Sequence, residues 1–239
     1  MGHNLEVFSN GLLYENPFIL ASAPPSASFE QIDKAFNMGW AGAVTKTIST
    51  EEVESKNVMP RFSVIKNKNK IVAFENIEML SEKRFDYWLN SIYKLKQKHP
   101  AKILVVSIMG AKGAKSWGQI ALQVEDAGAD AVELNFSCPN GVAKQGVGLA
   151  IGQNKDAISI ITKEVKKSVK IPVIVKLTPN VAGIAEFALA ATEAGADGLC
   201  AINTVLGLIG IDIETFLPKP NVNGYSSFGG ISGNCIKPI

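Results

Sequence analysis

The stretch AVELNFSCPN, residues 131–140, begins as a mostly apolar run and then turns abruptly polar. A short run of this kind, apolar rather than alternating, is typical of a strand that is covered on both faces in a parallel sheet. Helical patterns separate it from similar runs elsewhere in the chain. These runs are FILAS (18–22), GAVTK (42–46), ILVVSI (103–108), VIVK (173–176) and GLCAI (198–202). The sequence therefore predicts an α/β fold with six parallel strands.

A weak internal repeat supports this prediction. Three of the runs follow a helical pattern that ends in a glycine, the residue that most readily takes the left-handed conformation at a helix C-terminus; these are Gly39, Gly128 and Gly195. Lys46 and Asn135 lie seven residues after their glycines, and Asn203 lies eight after its own. Polar groups are thus expected at the carboxyl ends of successive strands, where α/β folds place their sites.

Two architectures fit this pattern, a (β/α) barrel and an open doubly wound sheet. The first βα turn reads Ala23-Pro-Pro-Ser-Ala-Ser and lacks the glycine-rich fingerprint that opens dinucleotide-binding sheets. The barrel is therefore favoured.

Composition excludes several classes of protein. The net charge of +2 comes from interspersed charges, which gives no sign of nucleic-acid binding. Three widely spaced cysteines and two histidines provide no disulfide framework, zinc site or iron–sulfur motif, so we predict no metal and a reducing, cytoplasmic environment. No signal peptide or membrane span is expected.

Polar residues at the predicted strand ends form a candidate site. Individually, a lysine at a strand end is usually solvated and an asparagine in a turn usually binds local backbone. As a set, lysines suit an electron-rich or anionic group, and amides and hydroxyls suit a flat heterocycle. We interpret the set as a site for a ring cofactor and a neutral polar substrate. It comprises Ser22, Lys46, Thr47, Asn76 in the long loop before the third strand, Ser107, Asn135, Lys176, Asn203 and Thr204.

Cys138 stands apart because small polar residues surround it and it lies three residues after a strand end. A thiol there could act as a nucleophile or as a proton donor and acceptor. A nucleophile needs a base such as histidine, and neither His3 nor His99 lies near a predicted strand end. Acid–base catalysis is therefore favoured. Cys200, inside an apolar run, is expected to be a buried core residue.

Further motifs follow in register from about residue 16 to the last residue, including AVTKT, ENIEML, VVSIMG, VIVKLTPNV, AINTV and GGISG. Together with ELNFSCPN they resemble the flavin barrel shared by dihydroorotate dehydrogenases and dihydropyrimidine dehydrogenases. FENIEMLSEK, GVGLAIGQN and INTVLGLIGID are most similar to the pyrimidine-reducing domain of the latter group.

The resemblance implies a TIM (β/α)8 barrel, with residues 1–239 as one FMN-binding domain, and reduction of the 5,6 double bond of uracil or thymine. Cys138 would be the general acid or base. FMN would contact Ser22, Lys46, Thr47, Lys176 and Gly233. The pyrimidine would contact Asn76, Asn135, Ser137, Asn203 and Thr204.

The sequence departs from the family pattern in two respects. It supplies six strands where the family barrel has eight, so we expect a barrel that is incomplete at its C-terminus. It also lacks an iron–sulfur motif and a dinucleotide fingerprint, so NAD(P)H would act through an electron-transfer subunit that carries FAD or iron–sulfur centres. An oligomer is expected.

Two alternatives stay open. The first is a dihydroorotate dehydrogenase, whose substrate carboxylate should attract a further cation or amide donors. The second is a truncated barrel without catalytic activity, which acts as a binding or structural module or does not fold stably.

Overall fold

A computed structural model describes residues 5–50, 58–111, 113–137, 148–223 and 228–238. The strands are β1 (Val7–Ser9), β2 (Leu12–Tyr14), β3 (Ile19–Leu20), β4 (Gly42–Val44), β5 (Phe62–Asn67), β6 (Lys70–Asn76), β7 (Ile103–Ile108), β8 (Ala131–Asn135), β9 (Val173–Lys176), β10 (Gly198–Cys200), β11 (Val205–Gly207), β12 (Gly210–Ile211), β13 (Pro218–Lys219) and β14 (Gly229–Ser232). The helices are α1 (Phe29–Asn37), α2 (Phe85–Lys98), α3 (Ala114–Asp126), α4 (Leu149–Gly152), α5 (Lys155–Ser168) and α6 (Ile184–Glu193), with 3-10 turns at Pro24–Ser26 and Asn234–Ile236.

The central feature is a six-stranded parallel sheet in the order β10-β9-β8-β7-β4-β3. Each of the six predicted runs contributes one strand, and strands adjacent among these runs in the sequence are adjacent in the sheet. Helical crossovers on one side produce this order, because a right-handed β–helix–β connection returns the chain beside the preceding strand. The predicted parallel α/β architecture is confirmed.

The helix ends match their sequence signals. Ser28 accepts a hydrogen bond from Gln31 N and begins α1, and Asn154 accepts one from Ala157 N and begins α5. The three repeat glycines after α1, α3 and α6 all have positive φ, between 95° and 105°. A residue with a Cβ would be strained there, which explains why each turn into the next strand uses glycine.

The main core lies between the sheet and its helices. Trp88 of α2, Trp117 of α3 and Val165 of α5 are fully buried against outward-facing strand residues such as Leu104 and Val132. The other face of the sheet forms a smaller core. There the hairpin β1–β2 covers the amino ends of the parallel strands, and the Tyr14 ring packs on apolar residues that include Ile103.

A four-stranded antiparallel sheet, ordered β11-β14-β6-β5, stands beside the carboxyl ends of the parallel strands. The prediction that Asn76 lies in a long loop is wrong: Asn76 ends β6 and pairs with Phe62 on one side and Gly230 on the other. The GGIS part of the GGISG motif forms β14 in this sheet. This second sheet forms one wall of the site.

Candidate active site

A cavity of about 540 Å³ opens at the carboxyl ends of the parallel strands. All the predicted cofactor and substrate residues line it except Ser137 and Gly233. The lining residues are Ser22, Ala23, Pro24, Pro25, Lys46, Thr47, Phe62, Phe74, Asn76, Glu78, Met79, Asn135, Lys176, Asn203, Thr204, Gly230 and Ser232. The volume falls in the range of small-molecule sites. The predicted convergence of strand-end residues is therefore present in the fold.

Strand periodicity explains why polar groups meet there. Along β7 the inward residues are Ile103, Val105 and Ser107, since successive side chains point to opposite faces. The same alternation directs Asn135 and Lys176, which are register partners at the ends of β8 and β9, into the cavity. The inner face thus changes from apolar at the amino end of the strands to polar at the carboxyl end.

Thr47 is the centre of a buried hydrogen-bond network below the cavity. Its Oγ1 accepts a hydrogen bond from Asn135 Nδ2 at 2.7 Å and lies 3.0 Å from Ser107 Oγ and 3.4 Å from Ser22 Oγ. Ser107 N in turn donates to Thr45 Oγ1 at 3.1 Å. These contacts join the ends of four neighbouring strands, so the spacing of the polar groups is fixed by the fold.

Ser137 lies behind the cavity wall. It is fully buried, and both its N and its Oγ donate to Asn135 Oδ1, at 3.0 and 2.7 Å. Asn203 Nδ2 donates to the Ser137 carbonyl oxygen at 3.2 Å. Ser137 therefore orients two amides that do face the cavity, and its own contact with the substrate stays a prediction.

Gly233 follows β14 with φ at +101° and is not among the residues that line the cavity. A Cβ there would lie 3.2 Å from the Val72 carbonyl oxygen. Both the left-handed backbone and the close approach require glycine. Its neighbour Ser232 reaches the cavity instead, so a flavin contact at Gly233 stays a prediction.

Glu78 also lines the cavity, although no sequence pattern predicts it there. Its Oε2 lies 2.9 Å from Lys46 Nζ, and its Oε1 lies 3.2 Å from Arg61 Nη1. The side chains of Lys46 and Glu78 are only 11% and 10% exposed, so this is a largely desolvated ion pair. The ENIEML motif contained this residue, but an acidic residue in a loop gives no signal for such a pairing.

The segment with the candidate catalytic residue Cys138 lies outside the described residues, which stop at Ser137 and resume at Gly148. The residue two positions before Cys138 is firmly held. The Phe136 ring is fully buried, 5.1 Å from the Trp117 ring. A Cβ on Gly152 would overlap the Phe136 carbonyl oxygen, so only glycine allows this close approach. The end of β8 is thus fixed on both sides.

Glu75, on the far side of the antiparallel sheet, is also fully buried. Burial raises the pKa of its carboxyl above the ordinary value, while backbone hydrogen bonds from Ile209 and Gly229 act in the opposite direction. Its Oε2 accepts the hydrogen bond from Ile209 N at 3.2 Å. Glu75 therefore joins two segments beside the cavity, those before β12 and at the start of β14.

The donor set suits a flat ring better than a metal ion. Two lysines, several amides and an apolar wall from Pro24, Phe74 and Met79 surround one open space. A Cβ on Gly230 would overlap Thr204 Oγ1, so the wall also needs glycine there. Within the described residues, no cluster of three or more His, Cys, Asp and Glu side chains could hold a metal. Among the same residues, no helix is long and apolar enough to span a membrane.

Comparisons with known proteins agree with this geometry. Residues 4–239 match the family model described as dihydroorotate dehydrogenase. The chain is 34% identical to the chloroplastic dihydropyrimidine dehydrogenase (NADP(+)) of Arabidopsis thaliana, over 99% of this chain and 57% of that protein. It is 37% identical to the NAD-dependent dihydropyrimidine dehydrogenase subunit PreA of Escherichia coli K12, with the same coverage. The chain therefore spans a little over half the length of these relatives.

Two further matches extend the comparison. The chain is 36% identical to the catalytic subunit of the NAD(+) dihydroorotate dehydrogenase B of Pyrococcus abyssi, over 98% of this chain and 72% of that subunit. A crystal structure of DHODH from Eimeria tenella in complex with ferulenol superposes with a TM-score of 0.74 at 19% identity, over 96% of this chain and 65% of that one. This superposition confirms the predicted TIM-barrel type of fold.

Proposed function

Since this chain belongs to the dihydroorotate dehydrogenase family, we propose that it binds FMN and a pyrimidine and takes part in reducing the 5,6 double bond of uracil or thymine. In this proposal, residues 1–239 form the FMN-binding barrel domain. The described residues supply six of its parallel strands. The observation that carries the proposal is the set of amides around one cavity: Asn76, Asn135 and Asn203, next to Thr204.

The ring of amides suits the edges of a pyrimidine. Uracil and thymine present alternating carbonyl and N–H groups, and a side-chain amide offers both a donor and an acceptor. Asn135 is pre-oriented for this task because Thr47 and Ser137 occupy part of its hydrogen-bonding capacity. Binding then costs little side-chain entropy, because the fold has already fixed the amide.

Flavin binding is assigned to the part of the cavity that contains the two lysines. Ser22, Thr47 and Gly233 complete the proposed contacts with FMN, and the ammonium groups of Lys46 and Lys176 stabilise negative charge on the ring. Bound FMN supplies the hydride for one carbon of the double bond. The chain's own part is to hold the pyrimidine by its amide groups and to exclude water with the apolar wall of the cavity.

Cys138 delivers a proton to the neighbouring carbon in this proposal, and its thiolate removes that proton in the reverse direction. The buried Ser137 precedes it directly, and the strand that leads to it, β8, ends at the buried Asn135. Replacing Cys138 with Ala should leave FMN affinity unchanged and lower pyrimidine turnover by roughly 100-fold, the usual scale for a lost general acid. Unchanged turnover would contradict the assignment.

Electrons from NAD(P)H reach this site through a partner in our proposal, an electron-transfer subunit with FAD or iron–sulfur centres. The Escherichia coli relative is itself named as a subunit, and its name states NAD dependence. Cys200 and Cys235 are free thiols, which suits the cytoplasm as the proposed compartment. Assembly into an oligomer is part of the same proposal.

Dihydroorotate oxidation is the second candidate function, supported by the family model and by the Pyrococcus abyssi relative. Charge in the cavity favours the first candidate. Glu78 already pairs with both Lys46 and Arg61, so a substrate carboxylate would meet a like charge beside those cations.

Titration with FMN tests flavin binding. We expect the chain to quench FMN fluorescence and to melt at a higher temperature when FMN is bound. Lys46→Gln should weaken FMN binding, whereas the control Lys155→Gln, at an exposed position, should not. A chain that neither quenches FMN nor gains stability from it would support the non-catalytic alternative. With flavin bound, reduction by dihydrouracil supports the proposal, and reduction by dihydroorotate alone overturns it in favour of the second candidate.

A further inference from the structure

Glu133 is a charged residue inside the barrel that the proposed function does not use. It lies in the middle of β8, on the inward face, and is 3% exposed. A carboxylate at such a position is costly unless a cation or hydrogen-bond donors compensate it. Its surroundings therefore indicate what it does.

The nearest cation is Lys176, whose Nζ lies 3.9 Å from Glu133 Oε1. Glu133 Oε1 is buried and accepts no hydrogen bond from the described residues. Lys176 is itself 7% exposed and lines the cavity at the end of β9. Among the described residues, Glu133 is the anion with which Lys176 forms an ion pair. The carboxylate thus stands below the lysine, on the side away from the ligand.

Cys200 completes the cluster from the next strand. It is the register partner of Lys176 on β10, and its partly buried side chain lines a second cavity together with Glu133. Burial and the Glu133 charge raise the pKa of Cys200 to about 11, so the thiol stays protonated at neutral pH and can donate to the carboxylate. Three adjacent strands therefore contribute an anion, a cation and a protonated thiol to one cluster below the cavity.

We infer that Glu133 is a positioning residue that acts through Lys176, holding the ammonium group at the floor of the cavity and offsetting its charge. The inference rests on the proposed function in one respect, namely that Lys176 contacts FMN. Glu133 has no direct contact with the ligand in this account. Its effect on the ligand must therefore vanish when Lys176 is removed.

Chemical labelling tests the ion pair without any flavin. The reagent trinitrobenzenesulfonate reacts with unprotonated amines, and loss of a neighbouring anion favours that form. Peptide mass spectrometry should find Lys176 modified several-fold faster in Glu133→Gln than in the unmodified chain. The matched control is Glu186→Gln, which removes the partner of exposed Lys155 on the surface and should leave the Lys176 rate unchanged. Equal Lys176 rates in the chain and in Glu133→Gln would overturn the inference.

A double-mutant cycle tests the effect on flavin. Glu133→Gln should change the FMN dissociation constant by about five-fold or more when Lys176 is present, and by less than about two-fold in a Lys176→Gln background. Equal effects in both backgrounds would overturn the inference. Glu133→Asp keeps the charge and serves as the second variant if Glu133→Gln does not fold; it should retain protection of Lys176 from labelling.

The two experiments separate the two ideas. A chain that binds no FMN but shows faster Lys176 labelling in Glu133→Gln contradicts the proposed function and supports the ion pair. A chain that binds FMN with no coupling between the two positions contradicts the inference alone.

Discussion

Thr47→Val removes the hydroxyl at the centre of the site and leaves the side-chain shape almost unchanged. Thr47 is 3% exposed, and its Oγ1 is the partner of Asn135 Nδ2 at 2.7 Å and of Ser107 Oγ at 3.0 Å. A buried polar group that loses its partner costs about 1–3 kcal/mol. Ser107 is fully buried and would bear the full penalty, whereas Asn135 lines a cavity that water can enter and would bear only part of it. Together the two lost partners should lower the free energy of unfolding by about 2–4 kcal/mol.

Urea denaturation followed by circular dichroism measures this loss, which corresponds to a fall in melting temperature of about 5–15 °C for a chain of this size. The matched control is Thr192→Val on α6, because the Thr192 hydroxyl is exposed and bonds only the Ala188 carbonyl in its own helix. The control should change stability by less than about 0.5 kcal/mol. A loss below about 1 kcal/mol for Thr47→Val would refute the claim that Thr47 organises the strand ends.

Two further predictions concern the surroundings of the cavity. Gly152→Ala should lower the melting temperature and weaken ligand binding, because the new Cβ overlaps the Phe136 carbonyl oxygen. The control Gly183→Ala should leave the melting temperature unchanged, because its new Cβ has no neighbour within 4 Å. Equal melting temperatures for the two variants would contradict this. Because burial raises the pKa of Glu75 in the folded chain, ionising this carboxyl costs more in the folded than in the unfolded state. The wild-type chain should therefore lose stability relative to Glu75→Gln as the pH rises above 4.5, the ordinary pKa, and through the raised pKa of the folded state. A stability difference that does not vary with pH would contradict the assigned direction.

The parallel sheet can be predicted from the sequence because its signals are local. Each central strand is a short run covered on both faces, and the three glycines with positive φ mark where helices end. Polar residues at the ends of these strands then had to converge, whatever the details of packing. Lys46, Asn135 and Lys176 were found in this way, and they do share one cavity.

The antiparallel sheet could not be found by the same reasoning. Strand β5 is largely exposed and lacks an apolar run, and the partner of β6 on its other side, β14, lies more than 150 residues away in the sequence. Such long-range pairing leaves no local pattern, so Asn76 was assigned to a loop. Glu78 was missed for a related reason: its importance comes from Lys46 and Arg61, which approach it from two different sheets.

The charges around the cavity argue for a neutral substrate. Two cations, Lys46 and Lys176, line it, and each has its own buried or nearly buried carboxylate, Glu78 and Glu133 respectively. An anionic substrate would gain from the lysines but would also approach these carboxylates, whereas a pyrimidine without a carboxylate loses nothing. If dihydroorotate were the substrate, its carboxylate would need a cation free of such a partner, and Arg61, the nearest further cation to Lys46 in the described ion-pair network, is already paired with Glu78. The pairing of each cavity lysine with an acid thus accounts for a site in which amides, rather than net charge, select the substrate.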